Sequence, residues 1–196
     1  MNEIKYDLGT VLHSLRPGSE WVIYGGKYSG IKWLDENQTQ PTEEECAQKA
    51  AELEYQEEVN EYQRQRAAEY PSYPDQFDQI FHEGIDAWKA DIQVVKDKYP
   101  KVTMDAVVLK DKQDKAIFNL QTEKYIAATK RLELDAVVAS DDIPATIEVT
   151  TTNPETLEVT TETVDNPVIV KDTEERAAAQ VVVDATPQPV IDSLNN

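Results

Sequence analysis

Thiols, histidines, basic charge and long apolar runs are all scarce in this chain of 196 residues, and each scarcity excludes something. The one cysteine, Cys46, rules out an internal disulfide framework and a multi-thiolate metal site. The two histidines, His13 and His82, do not make a zinc helix, because His82-Glu83 has no second histidine at ligand spacing. Lys and Arg number 19 against 38 Asp and Glu, for a formal charge of −19. The two halves share that deficit almost equally, and no basic block exists to neutralise phosphates, so no nucleic-acid partner is expected. An anionic membrane surface would repel the chain for the same reason. No apolar run is long enough to span a bilayer, and Met1-Asn2-Glu3 does not open a signal peptide, so a protein that is neither membrane-spanning nor secreted is expected.

Aromatic residues are unevenly placed. All 15 lie at or before Tyr125, and the last 71 residues have none. Aromatic side chains supply much of a core's buried area. The independent folding unit is therefore expected within residues 1 to about 100, with the C-terminal half relying on Val, Ile, Leu and Ala or on a partner's surface.

Within the first part, Trp21-Val22-Ile23-Tyr24 and Ile31-Lys32-Trp33-Leu34 suit two strands, and Gly25-Gly26 suits a tight reversal at positive φ. A β-hairpin follows, with Gly30 permitting a bulge. Thr42 and Glu45 form a capping box, and three glutamates in the first turn favour a helix running to about Glu69, where Tyr70-Pro71 ends it. Its sparse apolar positions (Cys46, Ala50, Leu53, Tyr55, Val59, Tyr62) predict a half-solvated helix. A second cap, Ser72 with Asp75 and Pro74, opens the next helix. There Phe77, Ile80, Phe81, Ile85, Trp88, Ile92, Val95 and Tyr99 recur at gaps of three and four with one exception, which predicts one helix with a heptad-like seam. Phe81 and Trp88, one heptad apart, are expected to be buried against the first helix, the hairpin or a partner. Gly84 in the middle costs about 1 kcal/mol against Ala, which suggests close approach of another backbone.

Beyond Pro100 a helix is expected over about 116–133. From Ile143 the chain reads as extended. Ile147-Glu148-Val149-Thr150-Thr151 recurs as Leu157-Glu158-Val159-Thr160-Thr161, alternating apolar residues with Thr or Glu, and Asn153-Pro154 and Asn166-Pro167 punctuate the copies. Val168-Ile169-Val170 and Val181-Val182-Val183 are further strand candidates. Two copies are too few for a solenoid.

No catalytic, cofactor-binding or metal-ligating residue emerges. Gly25, Gly26 and Gly30 around Lys27 are not in Walker order, and there is no Gly-x-Ser-x-Gly elbow. Cys46 lies near a helix N-terminus, but Glu43, Glu44 and Glu45 oppose a thiolate, so it reads as a packing residue. Asp111, Asp114 and Asp141-Asp142 do not match a calcium loop, which needs a glycine at its sixth position and an acid at its twelfth. No carboxylate pair is marked out for glycoside cleavage by an apolar neighbourhood. The hairpin's Tyr and Trp residues could stack on sugars, though core packing explains them better.

Two stretches carry a resemblance. One is Glu20-Trp21, then Tyr28-Ser29-Gly30-Ile31-Lys32-Trp33-Leu34-Asp35 and Pro41-Thr42-Glu43-Glu44-Glu45. The other joins Arg66, Tyr70-Pro71-Ser72, Asp75-Gln76-Phe77-Asp78-Gln79-Ile80-Phe81-His82-Glu83-Gly84, Trp88-Lys89, Ile92 and Val95 through Lys101. Together, over about residues 20–101, they resemble a small tail-fibre or tail-assembly module of tailed bacteriophages of the cyanophage and marine-phage type. The resemblance implies a role in the virion or its assembly, with no defined enzymatic activity; it does not extend over residues 102–196.

These readings combine into an α+β protein with four parts: a β-hairpin region (1–41), a two-helix module (42–101), a mixed, helical connector (102–142) and an extended, acidic, Thr- and Val-rich arm (143–196). The expected function is a non-enzymatic structural component of a phage tail, made in the bacterial host cytoplasm and located in the virion. Its expected partners are other tail proteins or further copies of itself. Phe77, Phe81, Ile85, Trp88, Ile92, Trp21 and Trp33 are the candidate partner-binding residues. The arm is expected to be mobile in an isolated monomer and to have its strands completed in trans. An assembly chaperone absent from the mature particle and a glycan-binding tail accessory protein are the alternatives.

Overall fold

The computed structural model describes residues 6–140, 142–152, 154 and 158–195. The fold is α+β, as expected: among the described residues there are seven α-helices and two separate two-stranded antiparallel sheets. The chain forms two compact units, Met1–Ile117 and Phe118–Asn196.

The first unit opens with helix α1 (Leu8–Leu15), which the sequence reading did not anticipate. Asp7 starts it, accepting bonds from the Thr10 N–H (3.0 Å) and hydroxyl (2.8 Å). These bonds hold the Asp7 carboxyl below its usual range, the Thr10 hydroxyl contributing most. Strands β1 (Trp21–Ile23) and β2 (Ile31–Trp33) then pair as the expected hairpin, with Trp21 opposite Trp33 and Ile23 opposite Ile31. Gly25 and Gly26 adopt φ of 70° and 68°, the left-handed region where a Cβ is costly. Gly30 has a different reason: it closes a short 3₁₀ turn, and a Cβ there would lie 1.9 Å from the Tyr24 carbonyl oxygen.

Helix α2 (Glu43–Glu69) begins with the predicted capping box: the Glu45 N–H donates to Thr42 Oγ1 (3.1 Å) and Glu45 Oε2 accepts from the Thr42 N–H (2.8 Å). It ends at the predicted residue. Its first turns close the core. Val11, Leu12 and Cys46 are buried, with the inner faces of both hairpin strands and Ala50 and Leu53 packed around them. Two polar bonds pin this layer: Trp33 Nε1 donates to the Gln38 carbonyl (2.7 Å) and the Tyr28 hydroxyl to the Pro41 carbonyl (2.8 Å).

One long helix over 73–99 was expected; the structure has two, α3 (Tyr73–Glu83) and α4 (Ile85–Lys98). Gly84 between them sits at φ 90°, outside helical space, with nothing within 4 Å of a would-be Cβ. Backbone freedom, not close approach, explains this glycine. The heptad reading is therefore corrected: gaps of three and four on either side of a break do not line one seam. The helices fold back on each other, joined by Trp88 Nε1 donating to Gln76 Oε1 (3.0 Å) and by Gln79 bonded to Asp91. Arg66 of α2 caps α4 from below, donating to the carbonyls of Tyr99 (2.8 Å) and Lys96 (3.1 Å). Lys98 and Tyr99 both bond Glu69, holding its carboxyl below the usual range and the Lys98 ammonium above it.

Helix α5 (Ala106–Glu133) reaches the predicted end but starts ten residues earlier than expected. Asp105 explains the start: its Oδ1 accepts from the Val107 (2.8 Å) and Val108 (3.1 Å) N–H groups. The Asp105 N–H donates to the Tyr55 hydroxyl (3.1 Å), which ties this turn to α2.

In the second unit, strands β3 (Thr146–Thr152) and β4 (Val159–Asp165) form the Thr-rich hairpin, Thr150 opposite Thr161 and Thr151 opposite Thr160. Asn153 and Leu157, used above to define the repeat, lie outside the described residues, as does Asp141. The remaining strand candidates are corrected. Val168–Val170 and Val181–Val183 both belong to helix α6 (Pro167–Ala185), and α7 (Gln188–Leu194) follows, so the region 143–196 is extended only in its first part. The cause is local. Asn166 caps the helix by accepting from the Val168 N–H (3.0 Å), Pro167 occupies its first turn, and the run from Lys171 to Gln180 between the two Val clusters is made largely of strong helix formers. Asp172 anchors α6: it binds Arg131 and accepts from the Val137 N–H (3.1 Å), and its carboxyl is held below the usual range chiefly by Arg131.

Candidate functional site

The polar residues of the second resembling stretch turn out to be structural. Ser72 caps α3, its hydroxyl donating to Asp75 Oδ2 (2.6 Å). Gln76 donates to the Pro71 carbonyl (2.7 Å) while accepting from Trp88, and Gln79 reaches Asp91. These contacts define the inner side of the α3–α4 hairpin. Residues four apart on a helix share a face. The spacing Tyr73, Phe77, Phe81 sets three aromatic side chains in a row along α3, and none of them takes part in these contacts.

They are open to solvent: Tyr73 is 78% exposed, Phe77 68% and Phe81 83%, with Ile85 also exposed beyond the Gly84 turn. The Phe81 ring meets His82 edge-on at 4.9 Å between centroids. Single exposed apolar residues are ordinary, but three large aromatic rings in line on one short helix form an unfilled apolar strip. Asp75, Asp78, Glu83 and Asp86 are also exposed along the same segment.

The seven candidate partner-binding residues thus divide. Phe77, Phe81 and Ile85 are exposed on the hairpin. Trp88 is half-buried against α3, and Ile92 is buried on α4. Trp21 and Trp33 face the first core. The expected burial of Phe81 is not found within the chain. Tyr73 is the residue missed; its position four before Phe77 was the available signal.

Other chemistry is sparse. Cys46 is buried, and burial together with Glu45 and Glu43 pushes its thiol up to about 11, so it is a poor nucleophile. His13 and His82 are exposed. Among the described residues no cluster of three His, Cys, Asp or Glu side chains is arranged to hold a metal, and no helix is long and apolar enough to cross a membrane. An open hollow of about 310 Å³ lies beside the start of α6, lined by Ile169 and Val170 together with Asp165 and Glu174.

The chain matches no protein-family profile, no curated protein and no solved structure at significance.

Proposed function

We propose that this protein is a non-enzymatic component of a bacteriophage tail, associated with its fibre, adaptor or baseplate, and that it docks on other tail proteins through the aromatic strip of α3. The observation that carries the docking reading is the joint exposure of Tyr73, Phe77 and Phe81 on a helix that Gln76 and Gln79 tie to α4. Aromatic side chains are the residue types that most often anchor protein interfaces. The tail assignment is supported by the resemblance over residues 20–101. A site for small-molecule chemistry has little support, since the sequence offers no nucleophile, acid–base pair or phosphate loop, and the buried Cys46 is held as a thiol.

The test is mass spectrometry of purified particles of the parent phage, with chemical cross-linking. The expected result is the chain present in stoichiometric copies, cross-linked to a tail protein from residues near α3. Phe77→Asp combined with Phe81→Asp should remove it from particles while leaving its melting temperature unchanged. A chain absent from particles but bound to a tail protein in infected cells would instead be the assembly chaperone. A chain found with neither would end the tail assignment.

A further inference from the structure

The β3–β4 hairpin leaves strand edges open. Among the described residues its two strands pair only with each other, so each has one edge whose backbone N–H and C=O groups lack a sheet partner. All seven residues of β4 are exposed. A two-stranded hairpin open to water is marginal, and an open edge of this length is a template for another strand. The base of the hairpin is nonetheless fixed. The Asn166 N–H donates to the Ala145 carbonyl (2.9 Å), and Asn166 Nδ2 donates to the Pro144 carbonyl (2.9 Å) while its Oδ1 caps α6. Asn166 itself is buried. The edge is therefore tied at its base to the start of α6.

Charge identifies the occupant. Between Arg131 and Lys171 lie 39 residues with nine Asp or Glu and no Lys, Arg or His. On β4, Asp165 lies on one face of the hairpin and Glu162 on the other, since alternate residues point to opposite faces. On β3, Glu148 sits opposite Thr163, on the face of Asp165. A second copy pairing antiparallel along the whole of β4 would set Glu162 opposite Glu162, which is destabilising. A strand carrying cationic side chains on both faces would meet carboxylates on both.

We propose that the free edge of β4 accepts a cationic, extended segment of another protein by strand addition, with main-chain bonds supplying affinity and Glu162 and Asp165 selecting positive charge. This site is separate from the aromatic strip, and its failure would leave the docking role of α3 untouched.

The probe is a dye-labelled heptapeptide, Lys-Val-Thr-Lys-Val-Thr-Lys, whose lysines alternate between faces in a strand. Fluorescence anisotropy with the full-length chain at low salt should show saturable binding, and amide shifts in the ¹⁵N–¹H spectrum should concentrate at residues 159–165. Replacing the lysines by glutamate should abolish binding. Methylating alternate peptide nitrogens, and separately Glu162→Lys in a protein shown by circular dichroism to be folded, should each weaken binding on the order of tenfold or more. Absence of binding, shifts elsewhere, or equal binding by the methylated peptide would overturn the proposal; so would concentration-dependent dimerisation through residues 159–165, which would make a second copy the occupant.

Discussion

The hairpin β1–β2 has three residues per strand and the hairpin β3–β4 has seven, yet burial runs the other way. The short one turns Trp21, Ile23, Ile31 and Trp33 onto the core of Val11, Leu12 and Cys46. The long one exposes all of β4 and all of β3 except Ile147, which is only half-buried. Strand length adds backbone bonds that exchange for bonds to water at small net gain, whereas apolar surface removed from water contributes about 25 cal/mol per Å². A hairpin's hold depends on what backs it. The β1–β2 hairpin is a wall of a core, and the β3–β4 hairpin is an edge on display.

If that is right, the largest effect should come from removing the backing. Leu12 is fully buried, and Leu12→Ala should cost about 2–5 kcal/mol in chemical denaturation and loosen the β1–β2 hairpin with it. A loss below about 1 kcal/mol would mean that the core does not hold this hairpin. Next in size is Gly30→Ala. The new Cβ would strike the Tyr24 carbonyl oxygen, which is backbone and cannot swing aside, so a cost of roughly 1–3 kcal/mol is expected. Thermal unfolding with tryptophan fluorescence reads it, because Trp21 and Trp33 pair in the same hairpin, at the end away from the turn.

A smaller effect follows from Cys46. Its thiol is raised to about 11 in the folded chain, above the free value of about 8.5. A raised acid binds its proton more tightly in the native state, so the contribution is complete below the unfolded value and is lost as pH climbs from there toward the folded one. Stability of the first unit should therefore decline between those two values. At pH 8 alkylation of native Cys46 should run on the order of 10²-fold slower than that of free cysteine, and Leu12→Ala should accelerate it. Native Cys46 reacting at the free rate would show an open core.

The smallest effect should be in the other hairpin. Thr150 and Thr161 share a hydroxyl contact (3.1 Å) in full solvent exposure, so Thr161→Ala should change global stability by no more than about 0.5 kcal/mol. Amide exchange sharpens the contrast: residues 159–165 in a monomer should exchange faster than residues 21–23 and 31–33, despite the longer ladder. Strong protection across 159–165 in a proven monomer would reverse the comparison.

Much of the local structure was legible in the sequence because its causes lie within a few residues. The Thr42–Glu45 box, the Ser72–Asp75 cap, the Gly25-Gly26 turn and the stop at Tyr70-Pro71 all act through neighbouring backbone groups, and each appears where it was expected. The misreadings arose where two local signals competed. Helical periodicity on both sides of Gly84 hid the chain reversal, because apolar spacing continues across a break that one positive φ creates. The β-branched clusters at Val168 and Val181 outweighed the Asn166 cap and the helix-forming run between them, and the structure resolves that contest as α6.

The division of the candidate site was not legible at all. By itself the sequence established an acidic chain with its aromatic residues gathered toward the N-terminus and two Thr-rich extended segments near the other end, which it expected a partner to complete. It could propose Phe77, Phe81, Trp88, Trp21 and Trp33 as apolar contacts, but all five look alike as letters. Only the fold back at Gly84 turned Trp88 inward and left Phe77 and Phe81 outside, and only the placement of α1 and of the start of α2 covered Trp21 and Trp33. Burial is a property of what else arrives at a side chain. That depends on contacts between residues far apart in the chain, which no local pattern encodes.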